Sequence, residues 1–131
     1  MCRLLLMPLL LTLVSGAAGG EEKPLTPVAA RKKVGDMITV EMKVQAAKDR
    51  LEIRGEIYLD AETDFRDDKN FAVVITKTGA AKLKEAGIDD PAAHFMDKII
   101  RATGTVIVVQ DIPRIEIDDA KQIRIVDAKD K

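Results

Sequence analysis

Hydrophobic and polar positions follow three successive patterns along the 131 residues. Residues 4–14 are an apolar run interrupted only by Thr12. Thr26-Pro27 can cap and open a helix, so 28–34 is predicted helical, with Gly35 as its stop and 21–27 as a linker. From Asp36 the period becomes two. Ile38, Val40, Met42, Val44 and Ala46 alternate with Met37, Thr39, Glu41, Lys43 and Gln45, the signature of a half-buried strand. A turn at 47–50 leads to a second alternation, Leu51, Ile53, Gly55, Ile57 and Leu59 against Glu52, Arg54, Glu56, Tyr58 and Asp60. The two runs predict a long hairpin in which Gly55 marks a mid-strand bulge or bend.

A polar loop covers 60–70, and Phe71, Val73 and Ile75 start a third strand that ends at 77–79. Helix formers fill 80–86 before Gly87, and Asp90-Pro91 repeats the cap-plus-proline opening for one more helical turn. A fourth strand spans 98–109, with Ile100, Ala102, Gly104, Val106 and Val108 on one face. Gln110-Asp111 turns the chain into a fifth strand through Pro113, Ile115 and Ile117. A turn at 118–121, a short strand at 123–126 and a frayed tail at 127–131 complete the pattern. Residues 36–44 lie on 98–106 at a constant offset of 62, a match of apolar pattern that implies similar strand geometry.

Three strands, a helical insert and two further strands is the order of a five-stranded Greek-key barrel of the OB-fold type, here with a short N-terminal helix and a domain spanning 28–126. Curling the sheet lets the inward faces cover one another and removes exposed edges. The reading requires Ile38, Val40, Ile57, Phe71, Val73, Ile100 and Ile115 to share one core. Val34-Gly35, Ile38-Thr39-Val40, Ile57-Tyr58-Leu59, the run from Phe71 to Ile75, the run from Ile100 to Val106, and Pro113 to Ile115 with Asp119 to Ile123 together resemble the small OB-fold domains of bacterial exported proteins. These belong to the nucleic-acid-binding OB superfamily. The resemblance covers 29–126 and implies a fold more than an activity.

The apolar run at 4–14 follows Arg3 and precedes the small residues Ser15 to Gly20, the form of a secretory signal peptide. It is shorter than the roughly 20 residues of a membrane span. Cleavage after Ala17 or Gly20 predicts an exported, periplasmic or secreted product with no stable membrane insertion. Removing 1–20 takes away Cys2 and leaves 20 basic against 22 acidic side chains. Without disulfides, the remaining chain must hold together by its core.

Catalytic material is sparse. Ser15 is the only serine and Cys2 the only cysteine, and both lie within the predicted signal. His94 stands alone, short of the three or four ligands zinc needs. Asp60, Glu62 and Asp64 resemble the start of a calcium loop, but Phe65 and Phe71 occupy the positions that require Gly and Glu. No cofactor is expected, and the chain reads as a non-catalytic binding module rather than an enzyme.

The outer wall of strands two and three, where OB domains bind, is predicted to carry Glu52, Arg54, Glu56, Tyr58 and Asp60 with Ala72, Val74 and Thr76. Ligand-binding candidates are Arg54, Tyr58 and Val74 on this wall, with Arg101 and Arg114 as an anion patch on adjacent strands. The resemblance implies single-stranded nucleic acid or another polyanion as partner, while the acids on the wall oppose phosphate. A protein or glycan partner at the Tyr58 face is the alternative.

Overall fold

The computed structural model describes residues 23–126; the predicted signal segment and the tail at 127–131 lie outside the described residues. The chain forms α1 (Pro27–Ala30), β1 (Met37–Lys43), β2 (Ala46–Arg50), α2 (Leu51–Arg54), β3 (Glu56–Asp60), β4 (Ala72–Thr76), α3 (Lys77–Glu85), α4 (Pro91–Phe95), β5 (Ile99–Thr105), β6 (Ile107–Val109), β7 (Ile112–Ile117) and β8 (Ile123–Ile125). A 3-10 turn at Ala120–Gln122 precedes β8, closed by a reciprocal cap between Asp119 and Gln122.

The strands make two sheets, one in the order β1-β5-β8 and one in the order β2-β3-β4-β7-β6. The fold is mainly β and OB-like, but its ladders are these two sheets, not the single five-stranded ring expected. Two of the expected long strands are each divided. At the first corner Val44 exchanges hydrogen bonds with Lys98 and Asp97, while the next amide, Gln45, donates to Asp60 in the other sheet. At the second, Val106 bonds to Gly35 and Asp36 before β6 joins β7. Each corner lets one run of chain serve both sheets. β4 and β7 pair in parallel, whereas every other strand pair is antiparallel.

The hairpin turn sits later than the pattern predicts. Residues 46–50 are extended against β3, and the reversal occurs in α2 and Gly55. Gly55 takes φ +76, a left-handed helix cap that a residue with a Cβ rarely adopts, so it ends a turn and is not a mid-strand bulge. Leu51 and Ile53 mimic strand alternation across four residues that are in fact helical, and Ile53 is left 79% exposed. At the other hairpin, Gln110 (φ 53) and Asp111 (φ 69) both adopt the left-handed conformation of a tight two-residue turn, as expected from their position.

The first helix is shorter than predicted, ending at Ala30. Leu25, within the expected linker, bridges to Val40 and bonds to Thr39 and Glu41. α3 starts three residues earlier than its sequence signal because the Thr76 hydroxyl caps it by accepting from the Gly79 amide. The segments matched at an offset of 62 prove to be hydrogen-bonded partners, since β1 pairs antiparallel with β5 along its whole length.

One core lies between the sheets. Ile38, Val40, Ile57, Phe71, Val73, Ile100 and Ile115 all belong to it, joined by Leu83 of α3 and Phe95 of α4 from the helical insert. Val108, expected on the inner face, is exposed on β6 beyond the second corner. Glycine is required where backbones meet closely. A Cβ on Gly79 would stand 1.9 Å from the Ile117 carbonyl oxygen, and one on Gly104 would stand 2.6 Å from Ile115 Cγ2. Gly104→Ala is expected to cost about 1–3 kcal/mol by overpacking. Gly79→Ala should cost more, because it meets backbone that cannot rotate away. Urea melts of the two variants against the parent chain check both the cost and its order.

Candidate ligand-binding face

The outward side of the five-stranded sheet is built by strand register. Lys48, Tyr58, Val74 and Glu116 form one cross-strand row, and Asp60, Ala72 and Arg114 form the next. A groove of about 700 Å³ runs over this side. Its margin carries Lys48 and Arg50 from β2, Ile53 and Arg54 from α2, and Phe65 from the loop after β3. Tyr58, Val109, Gln110, Ile112 and Arg114 also line it, with the acids Glu56 and Asp60. A second hollow of about 540 Å³ adjoins it, sharing Ile53, Arg54 and Glu56 and reaching Lys77, Glu116 and Asp118.

Arg114 anchors the face. It is only 8% exposed, and its Nη2 donates to Glu56 Oε2 at 2.8 Å and to Glu116 Oε2 at 2.5 Å. Its Nε is buried with no hydrogen-bond partner among the described residues. Burial depresses the guanidinium pKa, but the two carboxylates outweigh burial and raise it above its ordinary value. The Tyr58 hydroxyl donates to Glu56 Oε1, so Glu56 ties the aromatic to the buried arginine. Burial, reinforced by the Glu56 carboxylate, pushes the Tyr58 phenol upward.

The loop from 61 to 71 is held by Asn70, which is fully buried. Its Nδ2 donates to Asp60 Oδ1, its Oδ1 accepts from the Glu62 amide, and its carbonyl accepts from Arg31 Nη1. Asp64 and Asp67 accept from the amides of Arg66 and Lys69, the geometry of Asx turns. The alternating acids are thus partly occupied in fixing the loop. Among the described residues, no three His, Cys, Asp or Glu side chains are grouped to hold a metal ion. The loop delivers Phe65 to the margin, where Lys48 Nζ lies 5.0 Å and the Arg66 guanidinium 5.6 Å from the ring centroid.

Four of the five sequence candidates meet on this face: Arg54, Tyr58, Val74 and Arg114. Their roles differ from expectation. Val74 is 0% exposed, so it supports the face from beneath and does not present itself to a ligand. The positive charge of Arg114 is matched by its two glutamates. Arg101 is elsewhere, on β5 of the other sheet, where its Nε donates to Glu41 at 2.8 Å. Arg101 and Arg114 therefore form no common anion patch, because the strand expected at 98–109 divides, so that its Arg101 part lies in the smaller sheet and only β6 pairs with the β7 strand of Arg114. Sequence reading missed Lys48 and Arg50, assigned to a turn, and Phe65, Gln110 and Ile112. Placing the reversal at Gly55 instead of 47–50 recovers Lys48 as the cross-strand neighbour of Tyr58.

No family model matches the chain, and no curated protein matches it. Solved structures do. An aspartyl-tRNA synthetase described as putative, from Leishmania major Friedlin, superposes with a TM-score of 0.53 at 10% identity, over 88% of this chain and 23% of that one. The aspartyl-tRNA synthetase of Entamoeba histolytica gives 0.50 at 15% identity, over 88% and 26%. An OBody bound to hen egg-white lysozyme gives 0.54 at 12% identity, over 81% of this chain and 95% of that one. The chain thus spans about a quarter of the synthetases it resembles. At these identities the likeness establishes a shared OB-like fold.

Asp60 offers a pH test of this face. It is 3% exposed, and burial raises its carboxyl above the ordinary 3.8, opposed by the Asn70 hydrogen bond and by Lys48. The folded chain therefore holds this proton more tightly than the unfolded chain, and stability falls as pH rises from 3.8 through the folded value. Asp60→Asn removes that loss while keeping an acceptor for Asn70. Its stability relative to the parent should improve between about pH 3 and pH 7, as followed by thermal melts. A difference independent of pH would contradict the assignment.

Proposed function

We infer that this chain is a non-catalytic OB-fold module that binds single-stranded nucleic acid, or a related polyanion, across the outer side of its five-stranded sheet. Counting β1 with β2 and β5 with β6 as two bent strands leaves an order of strands and helical insert that supports the OB reading. The supporting observation is the grouping of Tyr58 and Phe65 with Lys48, Arg50 and Arg54 along one groove. Single-strand binding needs aromatic surfaces for bases and cations for phosphates. The structural likeness to two aspartyl-tRNA synthetases is consistent with such a ligand.

Purified protein titrated with a labelled single-stranded oligonucleotide tests this reading. Three cations facing phosphates imply roughly a twentyfold loss of affinity between about 50 and about 200 mM salt. Tyr58→Ala should weaken binding by about 1–3 kcal/mol through lost stacking. Absence of binding at the lower salt overturns the reading. A protein or glycan ligand is then favoured by the apolar margin, where Phe65 and Ile53 stand exposed.

Export belongs to the same proposal. The basic start, apolar run and small-residue exit of residues 1–20 support it. Intact-mass measurement of protein recovered outside the cytoplasm of a bacterial host should give a chain beginning just after Ala17 or Gly20. Recovery of the unprocessed chain from the cytoplasm alone would refute it.

A further inference from the structure

The two hollows of the face differ in charge. The larger carries Lys48, Arg50, Arg54 and Arg114 against Glu56 and Asp60, so cations prevail there. The smaller carries Glu52, Glu56, Glu116 and Asp118 against Arg54 and Lys77. Phosphates are drawn to the first and repelled by the second. A bound strand therefore keeps its backbone over the cationic margin, and a group that meets the carboxylates of the acidic hollow must donate hydrogen bonds.

Within a nucleic acid, those donors are the amino and imino groups of the bases. We propose that Glu116 accepts a hydrogen bond from an amino-bearing base edge, so that the module prefers cytosine to thymine or uracil. This rests on the single-strand reading of the same face.

The carboxylates are not equivalent. Glu56 is fully engaged, with Oε1 accepting from Tyr58 and Oε2 from Arg114. Glu116 gives only Oε2 to Arg114; its other oxygen has no hydrogen-bond partner among the described residues, and its side chain is 33% exposed. Arg114 thus orients the Glu116 carboxylate and leaves one acceptor open. Register sets its reach. Tyr58, Val74 and Glu116 are cross-strand neighbours on three adjacent strands, so Tyr58 and Glu116 stand about 10 Å apart across the fully buried Val74. A base laid against the Tyr58 ring and over Val74 turns an edge toward Glu116. Cytosine presents its N4 amine where thymine presents the O4 carbonyl. A carboxylate accepts from the former and repels the latter.

The test compares strands about twelve nucleotides long of deoxycytidine and of thymidine, at neutral pH and low salt. The parent chain should bind the cytidine strand about tenfold more tightly. Glu116→Gln should bring the two within about twofold, because its amide also donates to the thymine carbonyl. A strand of N4,N4-dimethylcytidine, which lacks the amino donors, should bind the parent chain no better than thymidine. That arm needs no protein variant and so does not depend on how Glu116→Gln folds. Equal binding of both natural strands by the parent chain overturns the inference while leaving the single-strand reading standing. A preference that survives in folded Glu116→Gln, or with the dimethylated strand, overturns the role given to Glu116. Binding of neither natural strand overturns the reading of the face itself.

Discussion

The outer face follows from the parallel pairing of β4 with β7, which sets Ala72 beside Arg114 and Val74 beside Glu116. Parallel neighbours need a long crossover, and here α3, α4, β5 and β6 supply it. The crossover adds to the core, since Leu83 and Phe95 from its helices are buried among the strands. Its start is pinned at the sheet end. Thr76 caps α3, its hydroxyl lies within 3.1 Å of the Ile117 carbonyl, and Gly79 packs against that same carbonyl with no room for a side chain. Loosening this junction would displace β7, and with it Arg114 and Glu116.

Electrostatic balance on the face is set around one buried cation. A guanidinium so little exposed is costly unless paired, and two carboxylates converge on it. The group of Glu56, Arg114 and Glu116 carries one net negative charge, and Tyr58 is tied to it through Glu56. The other cations of the groove, Lys48, Arg50 and Arg54, are at the margin, on β2 and α2. This uneven distribution eases the conflict between a fold associated with polyanions and a wall that carries acids: cations prevail in the larger hollow and acids in the smaller, with Arg54 and Glu56 lining both.

Individual residues show how far the sequence was legible. Phe71, Val73 and Ile75 declared a buried strand because β-branched and aromatic residues alternate there without interruption. Asp90-Pro91 and Gln110-Asp111 declared a helix start and a tight turn through local chemistry that needs no tertiary partner. Leu51 and Ile53 misled, because four residues of helix with apolar positions two apart look like a strand. Ala46 to Arg50 lacks a strong apolar pattern, and it is extended only because β3 supplies hydrogen-bond partners. Shifting that reversal moved Lys48 and Arg50 from a turn onto the face.

The sequence by itself determined the mainly β character, the seven residues from Ile38 to Ile115 at the centre of the core and the position of the helical insert, because periodicity and capping act over a few residues. Tertiary structure alone decided that two long strands divide at Val44 and at Val106, that Arg101 faces Glu41 on the smaller sheet while Arg114 is buried on the larger, and that Val74 is covered. Those outcomes depend on which strands pair and in what register. Register joins residues such as Glu56 and Arg114, which are 58 positions apart, and no local pattern records such a meeting.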